Sequence, residues 1–303
     1  MTPHDQPPTD PRDPGDPFQG LVLAPLTPGD AAIAGALVRE AGWNQVAADW
    51  RLMIGAGDAV GLFTRRGGPR ELVATALALP YGTEFAWISM VLVAGAWRRR
   101  GLATALLRDR IDAIRRRGMV PMLDATEAGR EVYRPLGFHD LYGITRLQVA
   151  TVPALAARPA GATPVTEADL EDIVRWDAPR FGAERGAVLA DLYRRAPELA
   201  WVLRRGDGAM AGYVLGRDGG RATQVGPLVA EGAEAAIALL DTALAHAAGP
   251  VFIDLADGHP RTAARLAELG FTRQRGFVRM ALGRDAPFDD PVKTIAIAGP
   301  ELG

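Results

Sequence analysis

The sequence contains no cysteine and only four histidines among its 303 residues. Without cysteine the chain can form no disulfide, no thiolate metal site and no cysteine nucleophile, and the composition is typical of a reducing compartment. We therefore expect a cytoplasmic protein. The four histidines are scattered along the chain, so we also expect no metal cofactor.

The sequence also lacks a charge imbalance and a long apolar run. The 34 Lys and Arg residues nearly balance the 36 Asp and Glu residues, so no overall charge favours binding to nucleic acid or an anionic membrane. The longest near-apolar run, 85–97, is interrupted by Ser89 and Gly95 and is shorter than the roughly 20 residues of a membrane helix. Residues 1–20 are rich in Pro and Asp without an apolar centre, which predicts a disordered tail. We expect a soluble protein with no nucleic-acid or membrane partner.

Hydrophobic periodicity predicts an α+β order in the first half. A short strand and two helices precede strands at 59–65, 71–79 and 86–93, where apolar residues dominate. The period then changes, and an amphipathic helix with Leu102, Leu106 and Ile114 on one face runs to Gly118. A strand at 120–125, a small helix at 130–136 and a strand at 145–150 complete this half.

A similar order recurs in the second half. Arg134-Pro135-Leu136-Gly137-Phe138 is echoed by Ala267-Glu268-Leu269-Gly270-Phe271, and the chain is longer than one hydrophobic core usually spans. The sequence predicts a disordered tail (1–20), a first domain (21–150), a linker (151–164), a second domain (165–285) and a C-terminal tail (286–303).

Residues 97–104 join an apolar strand to the amphipathic helix, and they have the composition of an anion-binding loop. The free N–H groups of a helix N-terminus attract phosphate, Gly101 and Ala103 leave room for it, and arginine can pair with its oxygens. The alternative is a helix start with solvated arginines. The loop has neither the Gly-Lys-Ser/Thr of a Walker A motif nor a GxGxxG.

A second motif, Tyr133-Arg134-Pro135-Leu136-Gly137-Phe138, follows this loop after one intervening strand. Together the two segments resemble the GNAT superfamily of acyl-CoA-dependent N-acyltransferases. Arg98, Gly101 and Ala103 match the family's Arg/Gln-x-x-Gly-x-Gly/Ala loop, and the second segment matches its Tyr-x-x-Leu-Gly-Phe. The resemblance implies two tandem GNAT-like domains, each a mixed, mostly antiparallel sheet flanked by helices, with acetyl-CoA as co-substrate.

The resemblance also implies how the parts work. Strand 89–93 would diverge from strand 122–126, and the pantetheine arm would lie in the gap, where a main-chain N–H near Val91 or Leu92 polarises the thioester carbonyl. Tyr133 would be the general acid for the departing thiolate; the alternative is a core aromatic residue. The implied cofactor-binding residues are Val91, Leu92, Val93, Arg98, Arg99, Arg100, Gly101, Leu102, Ala103 and Thr104.

Asp124 is the candidate proton acceptor, because a charged side chain on an apolar strand requires a reason. The alternative is a capping or bracing role for the helix that follows. For the acceptor pocket the sequence offers a set of aromatic and polar residues, each of which is also compatible with core packing or a turn. These residues are Trp43, Asn44, Trp50, Tyr81, Trp87 and Thr126.

The second half departs from both motifs. Residues 226–232 contain no arginine and carry Glu231, which would repel phosphate, and Leu266 stands where the general acid is expected. We predict that this half neither binds CoA nor catalyses, and that it closes or lines the acceptor cleft. Segments 180–182 and 295–303 are candidates to reach that cleft, although loop packing explains them equally well.

The predicted function is transfer of an acetyl group from acetyl-CoA to a primary amine of a small molecule, by direct attack in a ternary complex. The protein would be a monomer or a homodimer. The alternatives are acetylation of a protein or peptide, and a non-catalytic acyl-CoA sensor or scaffold. Phosphoryl transfer lacks a P-loop.

Overall fold

The computed structural model describes residues 16–18, 20–65, 70–155 and 161–303. Most of the predicted tail and part of the predicted linker lie outside these residues. Within the described ranges, no helix combines the length and apolar character needed to cross a membrane.

The two halves of the chain have the same order of elements. The first half contains β1 (Val22–Pro25), α1 (Ala31–Ala41), α2 (Ala47–Ala56), β2 (Asp58–Phe63), β3 (Leu72–Tyr81), β4 (Phe85–Val93), α3 (Leu102–Arg116), β5 (Val120–Thr126), α4 (Glu127–Tyr133) and β6 (Phe138–Val149). The second half contains β7 (Ala162–Pro164), α5 (Leu170–Phe181), α6 (Gly186–Arg195), β8 (Trp201–Arg204), β9 (Met210–Arg217), β10 (Thr223–Ala230), α7 (Ala233–Leu244), β11 (Val251–Ala256), α8 (Pro260–Glu268) and β12 (Thr272–Leu282), followed by β13 (Thr294–Ala296). The predicted α+β class with two tandem halves is confirmed.

The two halves share one mixed sheet because they exchange their last long strands. The strand order is β1-β2-β3-β4-β5-β12-β6-β11-β13-β10-β9-β8-β7. Strand β12 pairs antiparallel with β5 of the first half, and β6 pairs antiparallel with β11 of the second half. β6 and β12 also pair with each other at the centre of the sheet. Neither half therefore completes its sheet alone.

The helices cover the sheet and join the halves into one core. One large cluster of buried residues combines Trp50 and Met53 of α2 with Leu189 and Leu192 of α6. The amphipathic helix α3 buries Leu106 against β2 and β3, and Leu107, Ile111 and Ile114 against β4 and β5. Burial of this apolar surface fixes the strands that carry the candidate site.

The elements of the first half lie close to where the sequence predicts them, except that β6 begins at Phe138 rather than at 145. The helix that the sequence places over the stripe 102–114, ended by Gly118, is α3, and Gly118 has a φ of 74°. The sequence pattern does not predict α8, β12 or β13. It predicts a tail at 286–303, whereas residues 294–302 are largely buried and include a strand of the sheet.

Candidate active site

A gap opens between β4 and β5, as the family resemblance implied. The two strands pair in parallel only at Phe85 with Val120, Ala86 with Pro121 and Trp87 with Met122. Beyond these pairs, the edge of β4 that faces β5 has no strand partner within the described part of the chain. A paired strand leaves few free main-chain donors, so an unpaired edge here can bind an extended ligand arm.

A local irregularity in β4 lies directly beside this gap. Met90 has a φ of 52°, and the register of β4 against β3 shifts between Thr75 and Leu77. The Thr75 hydroxyl donates to the Met90 carbonyl at 2.8 Å. Bulges of this kind redirect main-chain groups next to active sites.

The loop before α3 presents unpaired main-chain donors. Arg99 and Gly101 have φ values of 61° and 80°, and the first N–H bond of the helix runs from Ala105 to Gly101 O. The N–H groups of residues 102–104 precede it and have no intrahelical partner. These are the groups to which the sequence assigned phosphate binding.

The arginines of this loop differ in their contacts. Arg98 Nε donates to Val93 O at 3.0 Å, and its Nη2 lies 3.3 Å from Glu40 Oε1. Arg100 lies over the Trp97 ring, 4.7 Å from its centroid. Arg98 therefore ties the end of β4 to the loop, in addition to adding positive charge.

Tyr133 is the last residue of α4 and lines the cavity at the gap. Its ring contacts Phe138, with the centroids 5.9 Å apart, and burial raises the pKa of its hydroxyl. Arg130 and Arg134 both donate to the Asp140 carboxylate on β6. This clamp fixes the end of α4, and a phenol with a raised pKa stays protonated, as a general acid requires.

Asp124 is fully buried and forms a two-pronged ion pair with Arg279 of β12. Arg279 Nε lies 3.0 Å from Oδ1 and Nη2 lies 3.1 Å from Oδ2, and Arg279 also donates to Asp289. Burial raises the pKa of Asp124 to about 6, although Arg279 opposes this effect. The pair explains why an acid lies on this strand: it binds β12 of the other half, rather than the following helix.

The gap leads into a cavity of about 170 Å³ that both halves line. Strands β4 and β5 and Tyr133 form the side next to the gap. The remaining wall comes from loop 42–45, from β6 and from the second half, through Arg146, Arg221, Phe252, Gln274, Arg275, Phe277, Pro300 and Glu301.

Three residues that the sequence assigned to the acceptor line this cavity, namely Trp43, Asn44 and Thr126. The Asn44 side chain is committed to the other half, because its Oδ1 accepts from Arg221 N and Ala222 N and its Nδ2 donates to Ala222 O, each at 3.0 Å. The Thr126 hydroxyl caps α4 by accepting from Gly129 N.

Tyr81, Trp87 and Trp50 do not line the cavity. The Tyr81 hydroxyl donates to Leu302 O at 2.5 Å, and Trp87 Nε1 donates to Pro300 O at 3.0 Å. Trp50 is buried in the core. Tyr81 and Trp87 affect the cavity indirectly, because they bind the C-terminal segment that contains Glu301.

Sequence reasoning missed the polar residues from the second half. Arg275 lies in a strand that was not identified, and no local pattern distinguishes it from its neighbour Arg273. Glu301 lies in the segment 295–303, which the sequence named only as a candidate to reach the cleft. Arg275 reaches the cavity because β12 is exchanged between the halves, and Glu301 reaches it because the C-terminal segment folds back onto the sheet. Neither arrangement produces a periodic pattern in the sequence.

The equivalent gap in the second half is filled. β10 pairs with β11 only at Thr223 to Val225, and β13 lies between the two strands beyond that point. Ile297 approaches so closely that a Cβ on Gly226 would lie 2.1 Å from its carbonyl oxygen. Glu231, before α7, is paired with Arg180 and Lys293. The chain itself thus occupies the space that is open in the first half.

Two family models match the chain. Residues 39–138 match the acetyltransferase (GNAT) family, and residues 173–294 match an acetyltransferase (GNAT) domain. The two matches fall on the two halves that repeat the same order of elements.

Curated relatives point to the same family. The chain is 27% identical to the uncharacterized N-acetyltransferase YitH of Bacillus subtilis over 191 residues, which cover 61% of this chain and 65% of that protein. It is 28% identical to a holothin acyltransferase of a Pseudoalteromonas species over 237 residues, which cover 77% of this chain and 78% of that protein. The first match thus spans somewhat less than two thirds of its relative.

Solved structures show the same fold at low identity. A Pyrococcus horikoshii protein with the provisional name acetyltransferase superposes with a TM-score of 0.77 at 22% identity, covering 94% of this chain and 97% of its own. A tandem GNAT protein from the clavulanic acid biosynthesis pathway superposes with a TM-score of 0.57 at 20% identity, covering 86% and 98%. The open gap in one half, the filled gap in the other and the matches to both halves lead to one conclusion: the chain is a tandem member of the GNAT acetyltransferase family.

Proposed function

We propose that this protein is an N-acetyltransferase that moves an acetyl group from acetyl-CoA to a primary amine of a small molecule within a ternary complex. The observation that carries the proposal is the gap between β4 and β5, which is open, has unpaired main-chain groups along one edge and ends at Tyr133. The proposal includes the cytoplasm as compartment, in keeping with a sequence that has no cysteine.

The residues around the gap fit the donor. The unpaired N–H groups of residues 102–104 and the arginines before them suit a pyrophosphate, and the free edge of β4 suits the amide groups of a pantetheine arm. Acetyl-CoA would supply a thioester carbonyl and a thiolate leaving group. The residues proposed to bind it are Val91, Leu92, Val93, Arg98, Arg99, Arg100, Gly101, Leu102, Ala103 and Thr104.

Tyr133 is proposed as the general acid. Among the described residues, no hydrogen-bond partner occupies its hydroxyl, although the ring is packed against Phe138. A phenol that is positioned but unbonded is free to protonate a leaving sulfur. Main-chain N–H groups of the β4 edge near Val91 stabilise the negative charge that develops on the carbonyl oxygen.

Asp124 is proposed to position the site rather than to take the proton from the amine. Both of its carboxylate oxygens already accept from Arg279, and the pair holds β12 against β5. The acceptor then binds between loop 42–45 and the wall formed by the second half, which itself takes no donor because β13 fills its gap.

The test measures release of free thiol from acetyl-CoA with a panel of amines, amino acids, aminoglycosides and peptides. The protein contributes no background because it has no cysteine. We expect acceptor-dependent release in the wild type and a fall in kcat of about 100-fold or more in Tyr133→Phe, with unchanged acetyl-CoA binding. Tyr193→Phe, on α6 and away from the cavity, is the matched control.

Two results would count against the proposal. Acetyl-CoA binding without thiol release for any acceptor would favour the acyl-CoA sensor. Release that depends only on peptides would favour the protein acetyltransferase. Full activity of Tyr133→Phe would remove Tyr133 from the mechanism while leaving the transferase in place.

A further inference from the structure

The wall that the second half contributes to the cavity carries an uncompensated positive charge. Arg275 of β12 is half-buried, and it has no hydrogen bond or ion pair to any residue in the described ranges. Burial, together with the neighbouring guanidinium groups of Arg146 and Arg221, lowers its pKa. A guanidinium in such a place is costly unless an anion pairs with it.

The neighbouring arginines do not share this property. Arg146 is neutralised by Asp254, with Nε and Nη2 each 2.7 Å from a carboxylate oxygen. Arg221 is exposed and donates to Gly42 O at 2.7 Å. Of these three guanidinium groups, only that of Arg275 has no hydrogen bond or ion pair to a described residue, so it can pair with the carboxylate of a ligand.

The same cavity also contains buried hydrogen-bond acceptors that lack donors. Glu301 is 3% exposed, and its Oε2 has no hydrogen-bond partner among the residues that the structure describes, while its Oε1 accepts from Arg217. Gln45 Oε1, Gln274 Oε1 and Ser89 Oγ are likewise buried and unpaired. Unsatisfied acceptors that line a cavity are expected to be satisfied by the ligand, and a group with several N–H donors, such as an ammonium, satisfies them together.

We infer that the acceptor is an amino-acid-like molecule whose carboxylate pairs with Arg275 and whose ammonium binds Glu301. This inference rests on the proposed function and names the substrate class of the same site. The C-terminal segment and β12 thus determine which acceptor binds in the catalytic half, although both come from the second half of the chain.

Glu301 is positioned to take the first proton from the ammonium. Burial raises the pKa of the Glu301 carboxyl, although Arg217 opposes this effect. The higher pKa lies closer to that of an amine, so transfer of a proton from the ammonium to the carboxylate costs less free energy. The freed lone pair forms the C–N bond and the C–S bond breaks with its electron pair on sulfur. Tyr133 gives a proton to that sulfur, and the second proton on nitrogen restores the phenol. The proton on Glu301 passes to solvent.

The experiment compares acceptors that differ only in the carboxylate: phenylalanine with phenethylamine, histidine with histamine, and ornithine with putrescine. Thiol release is measured for wild type, Arg275→Gln and the control Arg273→Gln. Arg273 lies two residues away on the same strand and is exposed, with a loose contact of 3.7 Å to Glu127. Both Arg variants replace the guanidinium with a shorter, neutral amide, so stability is checked by thermal unfolding.

We expect the wild type to prefer a carboxylated acceptor. Arg275→Gln should raise KM for that acceptor about 10-fold or more and should abolish the preference, with kcat and the KM for acetyl-CoA within twofold. Arg273→Gln should behave as wild type. Glu301→Gln should move the acidic limb of the kcat/KM profile up to the pKa of the acceptor amine, because the variant can use only acceptor that is already neutral. Loss of a merely structural contact would not move this limb.

The inference is overturned if decarboxylated amines are used as well as amino acids, or if Arg275→Gln and Arg273→Gln are equivalent. Either result leaves the acetyltransferase itself intact. The absence of turnover with every pair also overturns the inference, and thiol release with the wider panel of amines, aminoglycosides and peptides then shows whether the proposed function falls with it.

Discussion

Asp124 and Arg279 lie 155 residues apart in the chain and form a buried ion pair across the exchanged strands, at 3.0 and 3.1 Å. Asp124 belongs to β5 beside the open gap, and Arg279 belongs to β12 of the second half. Arg279 also lies over the Trp87 ring, 4.5 Å from its centroid. The first half is thus held in shape by a strand from the second half.

Replacement of this acid should cost stability. Asp124→Asn leaves Arg279 with only Asp289 as a buried counterion, so we expect the free energy of unfolding to fall by about 3–5 kcal/mol, measured by urea denaturation. Glu171→Gln, which removes an exposed partner of Arg175, should change it by less than about 0.5 kcal/mol. If both variants lose the same free energy of unfolding, the buried ion pair stabilises the fold no more than the exposed one does.

The turn before α3 offers a matched pair of glycines. Gly101 and Gly118 have φ values of 80° and 74°, and a Cβ at either position meets no atom within 4 Å. Alanine at each should cost about 1–2 kcal/mol through backbone strain. Only Gly101→Ala should raise the KM for acetyl-CoA, by roughly tenfold, because its methyl group enters the proposed phosphate site. If the two variants have a similar KM for acetyl-CoA, the phosphate does not bind next to Gly101.

Because β13 fills the gap of the second half, we expect one molecule of acetyl-CoA to bind per chain, measured by isothermal titration calorimetry. Gly226→Ala forces a Cβ against Ile297 O and should lower the free energy of unfolding by about 1–3 kcal/mol. Gly232→Ala, where the Cβ meets open space, should have little effect. Binding of two molecules per chain in the wild type would mean that β13 leaves its place between β10 and β11.

The clamp on α4 should depend on pH. The hydrogen bond from Arg130 is the main cause that lowers the pKa of Asp140 below its usual 3.8. Since the folded state favours the carboxylate, the stabilisation is complete above that value and is lost as the pH falls through the lower folded pKa. Asp140→Asn should therefore be less stable than wild type at pH 7, and the difference should shrink towards pH 2.

Activity offers a second readout of the same variant. We expect a several-fold lower kcat for Asp140→Asn at pH 7, because the helix end that carries Tyr133 is released, with the KM for acetyl-CoA unchanged. Asp207→Asn is the control, since this carboxylate also has a lowered pKa, from the Ala209 N–H, but lies in an exposed turn. A matching fall in kcat for the control would rule out the clamp as the cause.

The sequence by itself determined the local elements of the first half and the family. The stripe from Leu102 to Ile114 and the glycine at 101 depend on contacts within a few residues, so period and turn chemistry reveal them. The segment from Tyr133 to Phe138 was visible through its resemblance to a family motif. The missing arginine near residue 230 likewise predicted that the second half differs from the first.

Only the tertiary structure decided how the halves combine and what the cavity contains. The pairing of β12 with β5, the placement of β13 between β10 and β11, and the entry of Arg275 and Glu301 depend on register between segments more than 100 residues apart or on where the chain returns. Such contacts are selected by burial and by charge pairing in the folded state, which no local pattern encodes. Asp124 shows the difference: its presence on β5 was visible in the sequence, whereas its partner was not.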